Sequence, residues 1–249
     1  MKGDFDVVIV GAGAIGTVAA ALLINFHITE AGRIAIVADR LPAAGPADAD
    51  WELRVFALSR ASERVLRRCG VWAKLPADRI CTYERMCVWD ENGSAQGSGS
   101  LSFDCAEVGE PNLGSIVEGR ALQLECLQAA RAAGAVVIES GIESLSQGAA
   151  HVAIRLMDGR ELRASLLLGA DGVESRTREL LGIESAGHSY HQDALVAHVR
   201  TGKPHQRCAW QRFLSTGPVA FLPLPDGRSS IVWSADRPEA DRLAALDAA

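Results

Sequence analysis

FDVVIVGAGAIGTVAAALLIN occupies residues 5–25, and the architecture follows from it. Residues 5–10 form a short apolar run of the length of a buried strand. The next six residues place Gly11, Gly13 and Gly16 in the spacing G-x-G-x-x-G, and residues 14–26 read as a helix rich in Ala and Leu. Strand, glycine turn and helix in this order are the context in which the spacing binds a dinucleotide. Gly11 permits the tight turn, Gly13 lets a pyrophosphate approach the backbone, and Gly16 lets the helix pack on the strand. The helix N-terminus then offers unpaired N–H groups and partial positive charge to phosphates. A second apolar strand, residues 33–38, ends at Asp39, 23 residues beyond Gly16. An acid at that distance is the expected acceptor for ribose hydroxyls. The fingerprint leaves FAD and NAD(P) both open, and Asp39 on a ribose 2′-OH would repel a 2′-phosphate.

The same run is uncharged from residue 7 to residue 24, the minimum length of a membrane span. Three glycines interrupt it, and Asp4 and Asp6 stand where a signal peptide carries positive charge. The globular reading is therefore the better one. At 249 residues the chain is long for one small domain and short for two. Apolar residues make up 48% and charged residues 22%, which excludes a disordered chain. With 25 basic against 31 acidic residues, the net charge of −6 argues against nucleic acid as a partner and against a polybasic membrane anchor. The six cysteines include no C-x-x-C pair and are too sparse for a disulfide scaffold, so they read as reduced thiols of a cytosolic protein.

Farther along, helices are expected at 59–69, with Ser59 as N-cap and Gly70 past the end, at 119–133 before Gly134, and at 175–181 before Gly182. Strands are expected at 86–89 and 135–139, and a hairpin at 151–168 around Asp158–Gly159. From residue 194 the pattern becomes that of an antiparallel sheet, with strands at 194–200, 209–214, 219–222 and 229–234 and a turn at Asp226–Gly227. A last helix, 238–249, carries no stop signal.

GADGVESRTR, residues 169–178, also joins a strand to a helix, with Arg178 seven residues past Asp171. Together with the first glycine loop, this arrangement resembles the class A FAD-dependent aromatic hydroxylases. RVFALSRAS (54–62), IVEGR (116–120) and QRFLSTGP (211–218), running on to FLPL (221–224) and Val232–Trp233, are similar to the branch that serves ubiquinone biosynthesis. The resemblance runs from about Asp4 to Ala249. It implies an α/β fold, with a Rossmann-like FAD-binding domain at 1–72 and 115–182 and an inserted, mainly antiparallel β substrate lobe at 73–114 and 183–249. It implies that Gly11, Gly13 and Gly16 cradle the FAD pyrophosphate, that Asp39 holds the adenosine ribose, and that Arg40 lies beside the adenine end. Arg54 and Arg120 fall where the family has flavin- or phosphate-contacting side chains, and Asp171 and Gly172 would serve both FAD and NAD(P)H.

The activity so implied is oxygenation of an aromatic ring, a polyprenyl phenol, with NAD(P)H as reductant and O2 as oxidant. Such a lipid substrate implies peripheral membrane access or a hydrophobic handover partner in a biosynthetic complex. The alternatives are another flavin-dependent oxidoreductase of this fold and a non-catalytic chain without flavin. The family's third motif, a Gly–Asp segment after the lobe, has no counterpart before residue 249, so the sequence reads as the N-terminal part of a longer enzyme. His188 and His191 are three apart, but no carboxylate or Cys completes a zinc set, and no metal is expected. Ser175 lacks a G-x-S-x-G elbow, and the five tryptophans are scattered as core residues would be.

Overall fold

The computed structural model describes residues 4–46 and 49–246. In chain order its elements are β1 (Phe5–Val10), α1 (Ala14–Asn25), β2 (Ile34–Ala38), β3 (Val55–Ser59), α2 (Arg60–Arg68), β4 (Ile80–Tyr83), β5 (Arg85–Asp90), β6 (Leu101–Asp104) and β7 (Gly114–Glu118). Then follow α3 (Gly119–Ala133), β8 (Val136–Glu139), β9 (Ile142–Gln147), β10 (Val152–Leu156), β11 (Glu161–Gly169), α4 (Arg176–Leu180), β12 (Gln192–Val199), β13 (Cys208–Leu214), β14 (Gly217–Pro223), β15 (Ser229–Asp236) and α5 (Arg237–Ala244). The chain divides into two compact units, one of residues 1–47, 65–75 and 120–186, the other of residues 48–64, 76–119 and 187–249.

The first unit is built on a six-stranded sheet in the order β8-β2-β1-β11-β10-β9. Its first four strands run parallel, and β10 and β9 continue it antiparallel. Strands β1 and β2 are apolar on both faces, as a covered parallel sheet requires. Val8, Val10, Ala35 and Val37 meet Ile138, Ile154 and Leu156 on one side. Val7, Ile9, Ile34 and Ile36 meet Ala20, Ile24 and Ala130 on the other. Asp158–Gly159 closes the β10–β11 hairpin, with Gly159 at φ +87° and Asp158 Oδ1 accepting from the Arg160 N–H at 3.0 Å.

The second unit holds a six-stranded sheet, β12-β15-β14-β13-β5-β6, and a three-stranded sheet, β3-β7-β4. The large sheet is antiparallel except where β13 runs parallel to β5. Trp51, Ile116 and Leu224 form a small core with Val55, Tyr83 and Leu222.

The unit boundaries differ from the sequence reading. Residues 48–64 and 115–119 belong with the second unit, because β3 pairs antiparallel with β7 from Val55–Glu118 to Ser59–Gly114. Residues 73–75 and 183–186 belong with the first. Strands β3, β4, β6, β7 and β9 were not expected. Ser59 closes β3 rather than standing apart as a cap, although its Oγ still accepts from the Ser62 N–H at 3.3 Å. Helix α5 spans Arg237–Ala244, shorter than the expected 238–249, and the last three of those positions lie outside the described residues. Only Trp51 of the tryptophans is fully buried; Trp89 and Trp210 are half-buried and meet edge to face at 6.1 Å.

Ile36 is fully buried in the first unit. Ile36→Ala should cost about 2–5 kcal/mol, and Ile36→Val only about 0.5–1.5. Urea unfolding of the two variants beside the parent measures both, and equal midpoints would mean that this face is not packed as described.

Candidate cofactor site

Strands β1, β2 and β11 are adjacent and parallel, so their carboxyl ends share one edge of the sheet. That edge is where ligands of open α/β sheets bind. Gly11, Asp39 and Asp171 follow these three ends. Val10 is in register with Gly169, and the two turns leave the sheet side by side. The Ala170 N–H donates to the Val10 carbonyl at 2.7 Å, and the Gly11 N–H donates to the Val37 carbonyl at 2.8 Å.

The three glycines have different tasks. Gly11 sits at φ +112°, and a Cβ there would lie 2.3 Å from the Ala170 carbonyl oxygen. A Cβ on Gly16 would come within 2.1 Å of the Gly11 carbonyl oxygen. Both positions serve the close approach of chain to chain. At Gly13 a Cβ would meet no protein atom within 4 Å, so the space before it is open. Gly13 is also the N-cap of α1, whose first turn has no side-chain cap and no acid. An uncapped helix start facing open space suits a phosphate group. Buried Thr17 steadies this start, its hydroxyl donating to the Gly13 carbonyl at 2.9 Å. The sequence reading missed Thr17, although a hydroxyl four residues after the cap was its signal.

Asp39 and Arg40 are exposed just past β2. Asp39 lies against Gly141, where a Cβ would fall 2.4 Å from its Oδ1. Arg120 is half-buried in the first turn of α3, and Gly45 packs against its guanidinium so closely that a Cβ would sit 2.1 Å from one terminal nitrogen. A cation at a helix N-terminus opposes the helix dipole, and a bound anion would relieve that repulsion. Arg54 belongs to the second unit, exposed, with its guanidinium 5.1 Å from the centre of the Phe56 ring.

Asp171 uses its carboxylate within its own turn. Oδ1 accepts from the Ser175 hydroxyl at 2.6 Å and Oδ2 from the Thr177 N–H at 2.9 Å. Burial alone would push its carboxyl up, but the hydrogen bonds from Ser175 and the backbone outweigh it and hold the value below the usual carboxylate range. Ser175 in turn caps α4, its Oγ accepting from the Arg178 N–H at 3.0 Å. Arg178 donates to the Val173 carbonyl at 2.6 Å. These side chains shape the turn, and Gly172, exposed at φ +87°, is left on its outside. Two apolar residues beside the turns, Ile15 and Val173, are 78% and 89% exposed, too much for core residues. Nothing in the periodicity marked them.

In the second unit, QRFLSTGP and the stretches after it alternate across the large sheet. Arg212, Val219, Phe221 and Trp233, with Trp89 and Ile231, line a cavity of about 470 Å³ on one face. Phe213 and Leu101 lie on the other face and are 46% and 63% exposed. Burial pushes the Cys126 thiol up to about 12 and the Cys81 and Cys208 thiols up to about 11, which leaves them unreactive at neutral pH. Among the described residues, no group of three or more His, Cys, Asp or Glu could hold a metal ion. His188 instead meets Tyr190 edge to face at 5.3 Å. No described helix is long and apolar enough to cross a membrane.

The family described as FAD binding domain matches residues 4–245. Mouse ubiquinone biosynthesis monooxygenase COQ6 is 32% identical, over 98% of this chain and 52% of its own length. The 3-demethoxyubiquinol 3-hydroxylase of Escherichia coli is 31% identical, over 92% of this chain and 56% of its own. The chain thus spans about half the length of the curated relatives it matches. Among solved structures, PqsL of Pseudomonas aeruginosa, described as a probable FAD-dependent monooxygenase, aligns with a TM-score of 0.75 at 24% identity, over 96% of this chain and 62% of its own. The halogenase PltM, solved with phloroglucinol and FAD, aligns at 0.68 and 14%, over 94% and 52%. Both likenesses concern the fold.

Gly11→Ala should destabilise the chain, since its Cβ has nowhere to go, whereas Gly13→Ala should leave the thermal midpoint within a degree or two. Scanning calorimetry of the pair separates the glycine packed against the chain from the one that faces open space. For Asp171 the folded value lies below the unfolded one, so its stabilisation is complete above about pH 4 and is lost as the pH falls. Asp171→Asn should flatten that acid limb of the stability profile, and an unchanged limb would show that its hydrogen bonds do not favour the charged form.

Proposed function

The chain belongs to the FAD-binding-domain family, and on that premise we propose that it binds FAD and forms part of a monooxygenase that hydroxylates an aromatic ring, a polyprenyl phenol of ubiquinone biosynthesis. The observation that carries the cofactor reading is the open space before Gly13, at an uncapped helix start on the carboxyl edge of a parallel sheet. Gly11, Gly13 and Gly16 would hold the pyrophosphate, Asp39 the ribose hydroxyls, and Arg40 the adenine end. Arg54 and Arg120 would supply positive charge to the phosphates and flavin. Asp171 would act through the shape of its turn, because its oxygens already accept from Ser175 and Thr177, and exposed Gly172 would let cofactor and NAD(P)H come close.

When bound, FAD supplies the redox chemistry by which NAD(P)H and O2 oxygenate a ring. The protein's part is to bind, to orient the ring and to exclude water. Ile15 and Val173 give the cofactor edge an apolar rim suited to that exclusion. Both faces of the large sheet in the second unit carry apolar and aromatic side chains, which suits a phenol bearing a prenyl chain. Fold likeness alone does not separate a hydroxylase from a halogenase, and the sequence relatives support the hydroxylase. An apolar lipid substrate also supports access at a membrane periphery or handover from a partner protein.

Purified chain incubated with FAD and desalted should keep the visible flavin bands and oxidise NADH or NADPH faster when a phenol is present. Gly13→Val should abolish flavin uptake with little change in the unliganded fold. Uptake that survives Gly13→Val undiminished would refute the phosphate-loop assignment, and a parent chain that takes up no FAD would refute the cofactor reading.

A further inference from the structure

The cavity on the large sheet lies wholly within the second unit, and its floor can be read from the strand register. Trp89 of β5 is paired with Arg212 of β13, Arg212 with Val219 of β14, and Val219 with Trp233 of β15. These side chains therefore stand in one row across one face of the sheet. The adjoining row on that face holds Trp210, Phe221 and Ile231. Val219 is the small residue between Arg212 and Trp233, whose Cα atoms are two strand spacings, roughly 10 Å, apart. That leaves room for a flat ring over Val219 and Phe221, with indoles at its sides. A volume of about 470 Å³ is in the range of sites that take small molecules.

This apolar lining contains unsatisfied donors. Arg212 Nε and Trp233 Nε1 are buried and have no hydrogen-bond partner. Arg212 is also the one charged residue of the lining. A guanidinium offers several N–H groups, and the bond that Arg212 makes runs from NH2 to the Glu91 carbonyl at 2.6 Å. That bond ties the side chain to the turn after β5 and leaves its charge uncompensated. Among the described residues, no carboxylate forms an ion pair with Arg212. Asp90, next to Trp89 in the chain, is in register with Phe213 and so belongs to the opposite face, where its Oδ1 accepts from the Asn92 N–H at 2.9 Å. A partly buried guanidinium among apolar neighbours is costly without a counter-charge.

We infer that this face of the sheet binds an aromatic ring carrying an anionic oxygen, a carboxylate or a phenolate, with Arg212 supplying the charge and the Trp233 indole N–H a second donor. The inference deepens the proposed function and rests on it for the aromatic class of the substrate. It assigns the ring to the Arg212 face of the sheet and not to the Phe213 face. Val219 and Phe221 seat the ring, and Arg212 selects by charge, because a neutral ring of the same shape leaves the guanidinium without its partner.

The test is ligand binding by the full chain without flavin. Benzoate and 4-nitrophenolate represent the two sources of the anionic oxygen, and benzamide is the neutral ring of like shape. Benzoate and benzamide are followed by tryptophan fluorescence, since Trp89 and Trp233 line the cavity, and 4-nitrophenolate by its own absorption. At least one of the two anions should bind roughly ten- to a hundredfold more tightly than benzamide, the range for a hydrogen bond to a charged group. The anion that does so identifies the source. Arg212→Gln should abolish that preference. Trp233→Phe, which keeps an aromatic wall, should weaken the preferred anion about three- to tenfold. Circular dichroism checks that each variant folds, and if Arg212→Gln does not, Trp233→Phe decides. Equal binding of benzamide and both anions would overturn the inference, as would a preference that survives Arg212→Gln, an anion affinity unchanged in Trp233→Phe, or a parent chain that binds none of the three rings. Because no flavin enters these titrations, a chain that takes up no FAD can still pass, and one that takes up FAD can still fail.

Discussion

The approach of Gly11 to Ala170 is the constraint on which the candidate cofactor edge depends. Two turns leave neighbouring strand ends, and the chain at Gly11 runs so near the Ala170 carbonyl that no side chain fits. The Ala170 N–H to Val10 bond closes the contact from the other turn. From this follow the angle at which α1 leaves the sheet, the contact of Gly16 with the loop, and the open space before Gly13. A turn conserving sequence spacing but not this closeness would point the helix start elsewhere.

The second unit reaches its order by different means. Its small core is modest, and polar contacts between distant parts of the chain set the segment before β3. Glu118 and Arg79 lie 3.6 Å apart with side chains 7% and 19% exposed, and the same Glu118 carboxylate accepts from the Glu52 backbone. Arg228 and Asp50 join positions 178 residues apart. Such contacts add little to stability when exposed, but they choose one conformation for a stretch with no periodic pattern.

Much of the first unit was legible in the sequence because its signals are local. β1, the glycine turn, α1 and the β10–β11 hairpin each carry a run of one period or a turn residue with a required φ. Helix α3 was read to the residue because Gly119 and Gly134 bracket it. The missed strands lack such marks. β3 runs straight into α2 with no punctuation, β7 is a five-residue buried run after Pro111 and Asn112, and β9 carries only two large apolar residues. The pairing of β3 with β7 is a tertiary fact, and it moved residues 48–64 from one unit to the other. At the candidate site the glycines were legible from spacing alone. The self-contained hydrogen bonding of Asp171, and the exposure of Ile15 and Val173, depend on which neighbours surround them, and spacing carries no such information.

Neither unit is continuous in the chain. Among the described residues, those of the first unit have all been made by residue 186, whereas the large sheet of the second unit draws β12, β13, β14 and β15 from residues 187–249. Strand β5 must therefore wait for β13, its parallel neighbour more than a hundred residues later. At about 5–20 residues per second, synthesis of that last stretch takes roughly 3–13 s, during which β5 and β6 are without their sheet. The glycine turns at Gly11 and Asp171 belong wholly to the part already made, so the edge they form precedes the large sheet in synthesis.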